Sequence, residues 1–317
     1  MYRLCKFNNM EFLLECLEDL DVSFSEHGGT LNMVLGKPVE VFTKLRKYFD
    51  IVRICFDQDC EAYWLERDNA VKNFCASHKI KIVENIGATL WDPLQVIEAN
   101  GGFPPLTYSQ FCHVSKAVGP PPRPRDDVDL SNVDFVDLAT AENLVSDHLT
   151  LFPTTPSPEM LGIEKDPLWK EKKIYNGGER EALKYYVKRI EHEKTAFLEG
   201  TFMPNRKDPD IFNPPKSLSP DLRYGCLSVR KFYWAAMDAW EEPDAPRIEY
   251  AASYALRWLR FPGGAPPRHE AVCFALNVGA AAPWWFACFL GFVVLPYAGP
   301  WTVECVRLAL ALIASFF

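Results

Sequence analysis

Residues 30–56 read TLNMVLGKPVEVFTKLRKYFDIVRICF. Two short apolar runs, TLNMVL (30–35) and IVRICF (51–56), flank a segment in which Pro38 is followed by Val41, Phe42, Leu45 and Phe49 on one helical face. Short apolar runs bounded by turn residues read as buried strands, and a proline ahead of a 3.6-residue period reads as the first residue of a helix. Strand, helix and strand in that order predict parallel pairing, because a parallel pair needs a crossover and an antiparallel pair only a turn.

Outward from this stretch the alternation continues. Upstream, Met10, Leu13, Leu14, Leu17, Leu20 and Phe24 recur at helical spacing until Gly28-Gly29 breaks the pattern. Downstream, Glu61 to His78 reads as a helix with a charged face and IKIVEN (80–85) as a third strand. The expectation is an open α/β domain over residues 1–117, a doubly wound parallel sheet with helices on its faces. Three clear strands are fewer than such sheets usually have, which points to a missing first strand. No GxGxxG follows any of the strands, so a nicotinamide-type dinucleotide site is unsupported.

Residues 118–176 read as an interdomain connector, with GPPPRPRDDVDL and LFPTTPSPEM spelling irregular structure. Residues 177–250 read as the start of a helical domain. From Glu179 an apolar stripe of Leu183, Tyr186, Val187, Ile190 and Phe197 is set among charges. Ser219 is expected as an N-cap with Pro220 as the first helical residue, and Ser228 caps a further helix bearing Val229, Phe232, Tyr233, Ala236, Met237 and Trp240. The helix start beside Ser217 and Ser219 offers free N–H groups and a positive dipole end to a phosphate, or else a cap that serves only its own helix.

The remaining 251–317 differ in character. Residues 271–303 contain no Asp, Glu, Lys or Arg, and VRLALALIASFF closes the chain. About twenty apolar residues can span a bilayer, which admits a transmembrane helix near Ala271 to Leu295. Against it, Pro283, Pro296 and Pro300 interrupt the run. The preferred expectation is a divergent hydrophobic tail joined to a soluble protein.

Totals narrow the function classes. At 317 residues the chain can hold about two domains. A formal charge of −8 with a pI near 5.4 argues against a surface that grips nucleic acid by neutralising phosphates alone. Ten cysteines form no CxxC pair and no zinc-type spacing with the six histidines, and a reducing compartment fits best. The N-terminus shows no secretory signal. Asp57, Asp59 and Glu61 read as a solvated turn rather than metal ligands, and His78, His113 and His192 have no Ser or Cys partner at triad spacing.

Four segments, ICFDQDCEAYWLERD (54–68), TLWDPLQVIEANGGFPPLTY (89–108), GGEREAL (177–183) and SPDLRYGCLSVRKFYW (219–234), together resemble successive motifs of the cryptochrome/photolyase family. The nearest likeness is to insect-type light-sensing cryptochromes. The resemblance implies a photolyase-like α/β domain followed by a partial all-α FAD-binding domain. It further implies a blue-light receptor in circadian signalling, in cytoplasm and nucleus, with clock or light-signalling proteins as partners. The alternative in the same family is a photolyase that binds and repairs UV-damaged DNA. By the same resemblance Arg189 contacts the flavin cofactor, and Ser217 and Ser219 contact the FAD diphosphate. The likeness runs over about residues 8–240. Its opening strand, its later Asp-x-Asp loop and its tryptophan relay are not found; no Asp follows Asp244, and Trp258, Trp284, Trp285 and Trp301 match no relay motif. Impaired FAD binding is therefore expected, with membrane association through 271–317 as a lesser alternative.

Overall fold

The computed structural model describes residues 7–58, 62–125, 130, 133–138, 149–165, 173, 175–199, 218–241, 289–296 and 306–313. The chain divides into two compact units, one of residues 1–85, 127–178 and 283–317, the other of residues 86–126 and 179–282.

The first unit carries α1 (Phe7–Ser25), β1 (Asn32–Leu35), α2 (Pro38–Leu45), β2 (Ile51–Asp57), α3 (Ala62–His78), β3 (Lys81–Asn85), β4 (Asp134–Phe135) and β5 (Thr150–Phe152), and, from the end of the chain, β6 (Phe289–Pro296) and β7 (Val306–Ile313). The strand–helix–strand order of 30–56 holds, but β1 and β2 do not pair with each other, because β6 and β7 lie between them. Pro38 opens α2 in the first turn, where its missing N–H costs nothing, and Val41, Phe42 and Leu45 point into the core. That core gathers Val34, Phe42, Leu45, Ile54, Phe56, Val71, Phe74 and Cys75, so α2 and α3 pack on strands β1 and β2. Helix α1 buries Met10, Leu13, Leu14 and Leu17 as its spacing predicts, whereas Leu20 is 40% exposed.

The α/β class stands, but the sheet is mixed rather than parallel throughout. Strand order is β3-β2-β6-β7-β1-β5, with β4 paired to β7. β2 and β3 run parallel, as do β1 and β7 and the short β4 and β7. β1 with β5, β2 with β6 and β6 with β7 are antiparallel. The difference comes from segments outside the helix–strand alternation: β5 lies in the predicted connector, and β6 and β7 in the predicted tail. Part of that connector is therefore structural. Asn32, itself buried, donates from Nδ2 to the Val136 carbonyl at 2.7 Å and accepts from the Leu138 amide at 2.7 Å.

The second unit carries α4 (Pro93–Ala99), α5 (Tyr108–Val118), α6 (Glu179–Glu199), α7 (Ser219–Arg223) and α8 (Val229–Glu241). Residues 86–117, grouped in the sequence with the α/β segment, pack here instead. Leu90, Trp91, Val96, Phe111 and Val114 share one core with Val229 and Tyr233. Polar ties reinforce it: the Trp91 indole donates to the Gly119 carbonyl at 2.8 Å and Arg230 Nε to the Leu90 carbonyl at 3.2 Å. Arg123 forks onto the Asp238 carboxylate at 3.0 and 3.1 Å while lying 4.1 Å from the Trp234 ring centroid.

Candidate functional site

Helix α6 begins just after Gly177-Gly178. Among its described side chains, Ala182, Arg189 and Ile190 are buried, at 1%, 6% and 8% exposure, with Leu183 and Tyr186 partly buried beside them, while the Phe197 side chain lies outside the described residues. The buried stripe is thus rotated from the predicted one. Val187 is 58% exposed, and Arg189 sits within the stripe. Sequence periodicity misplaces it because an arginine is scored as polar, although a partnered guanidinium can occupy a buried face.

Arg189 has a partner within the chain, as a buried cation requires. Tyr186, one turn earlier, has its phenol pushed above the usual range, first by burial and then by the Asp238 carboxylate of α8.

Helix α7 starts differently from the sequence reading. Leu218, buried at 7%, is the N-cap, with no side-chain cap bond, and Ser219 is the first helical residue, exposed. The physical reason is local: anchoring Leu218 in the core turns the chain one residue earlier, and its carbonyl accepts the Leu222 amide at 3.0 Å. Ser228 does cap α8, accepting the Lys231 amide at 3.4 Å. Asp221, in the first turn of α7, is 5% exposed and was not singled out by sequence. An acid in a helix's first turn is the signal that could have found it.

The predicted site residues therefore stand as follows. Arg189 is deep in α6, Ser219 is on the surface at the start of α7, and Ser217 lies outside the described residues. In chemical type, a buried guanidinium and a hydroxyl at a helix start suit the diphosphate end of FAD. Arg189 is buried and Ser219 exposed, and each has an interaction within the chain. Asp59, Glu61, Trp258, Trp284, Trp285 and Trp301 also lie outside the described residues. Among those described, no group of three His, Cys, Asp or Glu could hold a metal, and no helix is long and apolar enough to cross a membrane.

The DNA photolyase family model matches residues 3–126. Cryptochrome-1 of Aedes aegypti is 41% identical over 246 residues, which is 77% of this chain and 44% of the mosquito protein. Cryptochrome-1 of Drosophila melanogaster is 41% identical over 236 residues, covering 73% of this chain and 43% of the fly protein. A solved cryptochrome from Synechocystis shares the fold at a TM-score of 0.55 and 18% identity, over 76% of this chain and 47% of that one. The chain spans less than half the length of the relatives named here.

Proposed function

Because the chain belongs to the cryptochrome/photolyase family, we propose that its role is of the cryptochrome type, an FAD-linked blue-light receptor signalling through protein partners of a clock or light-response pathway in cytoplasm and nucleus. The observation that carries this reading is the 41% identity to insect Cryptochrome-1 over 246 residues. The formal charge of −8 favours it over damaged-DNA repair, since gripping a phosphate backbone rewards basic surface.

In this reading Arg189 contributes its guanidinium to the flavin cofactor and Ser217 and Ser219 face the diphosphate. FAD, when bound, supplies the absorption of blue light and the redox change; the chain's residues supply binding and burial. This chain holds FAD at well below one equivalent, because the Asp-x-Asp and tryptophan segments expected on the flavin-ring side are not found in its sequence.

An absorption spectrum of the purified full chain, reconstituted with FAD and desalted, tests both halves. A blue flavin band well below one equivalent, weakened further by Arg189→Ala, is expected. A full equivalent would overturn the impaired binding, and a band indifferent to Arg189→Ala would overturn its role.

A further inference from the structure

Among the described residues, the sheet of the first unit is continuous only through the end of the chain. Remove β6 and β7 from the order β3-β2-β6-β7-β1-β5 and two separate pairs remain, β2 with β3 and β1 with β5. We infer that residues 289–296 and 306–313 are a built-in strand donor. The hairpin β6–β7 fills a two-strand slot between β1 and β2, and the apolar character of this segment serves that slot instead of a bilayer.

Direction and register support the fit. β1 and β2 run the same way, since β1 is parallel to β7, β7 antiparallel to β6, and β6 antiparallel to β2. A hairpin has one strand in each direction, so between two parallel strands it must make one parallel and one antiparallel contact. Both are present. β7 pairs along the whole of β1, from Asn32 opposite Leu310 to Leu35 opposite Ile313. β6 pairs along β2 from Ile51 opposite Pro296 to Cys55 opposite Val293. Between themselves the two strands pair from Phe289 opposite Ile313 to Val294 opposite Leu308.

The slot has reason to be filled. Met33, Val34 and Ile54, on β1 and β2, are 0–1% exposed, so these are core strands rather than sheet edges. Unpaired N–H and C=O groups along them would be left buried or offered to other chains. Three interstrand steps of roughly 4.8 Å separate β1 from β2, a gap that two strands fill and one cannot. The composition agrees: FLGFVVLP is uncharged and VRLALALI carries only Arg307, the near-continuous apolar run of strands covered on both faces. Pro296 pairs with Ile51 beside the register irregularity between Ile51 and Arg53, and a proline is tolerated at such a bulge. A lone hairpin in lipid would leave both outer edges without hydrogen bonds, whereas here β1 and β2 take them.

The native Cys55 makes the proposal testable with one substitution in the full chain. Directly opposed antiparallel residues lie about 4.5–5.5 Å apart at Cα, within disulfide range. Val293→Cys, oxidised with copper–phenanthroline and mapped by non-reducing mass spectrometry, is expected to give an intrachain disulfide between positions 55 and 293 in a monomer. Val294→Cys, opposite Ile54 and on the other face, is expected not to join Cys55. No bond to Cys55, or one formed only between two chains, overturns the proposal, the second by placing the hairpin in another copy. Should the variant not fold, hydrogen exchange on the unaltered chain decides. Amides of 289–296 and 306–313 are expected to exchange slowly together with those of 32–35 and 51–57, and free exchange overturns the assignment. Loss of FAD binding moves neither readout, so this result and the functional reading fail separately.

Discussion

Gly177 and Gly178 show how a motif acquires a physical cause at the level of single residues. A Cβ on Gly177 would lie 2.2 Å from the Phe12 carbonyl oxygen, a backbone atom of α1 that cannot swing aside, and its N–H is held by the Glu15 carboxylate at 2.8 Å. Gly178 has φ +111 and would set a Cβ 2.8 Å from that of Asp19. Gly177→Ala is therefore expected to cost about 1–3 kcal/mol, the range for forced overpacking, read as a lower urea midpoint. Cys75 is the other residue with a definite expectation. Buried at 0% exposure on α3, its thiol is pushed by burial from 9.0 up to about 11. A raised folded value means the folded state holds the proton more tightly. Stability from this group is whole below pH 9 and lost as pH rises through 11. Iodoacetamide at pH 8 should leave Cys75 unmodified in the folded chain and label it in urea, and the urea midpoint should begin to fall above pH 9.

At the scale of elements, local rules account for most starts and stops. α4 begins on Asp92, whose carboxylate accepts the Leu94 amide at 2.8 Å ahead of Pro93, and α5 on Thr107, whose hydroxyl accepts the Gln110 amide at 3.2 Å. Asp92→Ala should cost about 1 kcal/mol of stability, measured by thermal or urea unfolding, while Asp92→Asn should recover most of it. The helices near residues 38, 62, 179, 219 and 229 were legible because capping and 3.6-residue periodicity are local signals. Where packing overrode the local preference, the reading slipped. Leu218, drawn into the core, took the N-cap position expected of Ser219, and Arg189 entered the buried stripe that Val187 was expected to join.

For the molecule as a whole, the order of alternating strands and helices and the four motifs were sufficient to place the chain in its family and its first half in the α/β class. Composition bounded the surface chemistry in the same way, since net charge needs no coordinates. Strand partners were not legible. β5 and the β6–β7 hairpin come from segments whose composition carries neither the two-residue nor the helical period, and a continuous apolar run reads equally as a core strand or a membrane span. The likeness of Leu90 and Trp91 to Val229 and Tyr233 as partners was hidden for a related reason: more than a hundred residues separate them in the chain. The sequence alone determined the family and the α/β character of residues 30–85, because these depend on local spacing and residue type. Only the tertiary structure decided that residues 86–126 belong with the helices and that the apolar end completes the sheet, because pairing and core membership are settled between distant segments.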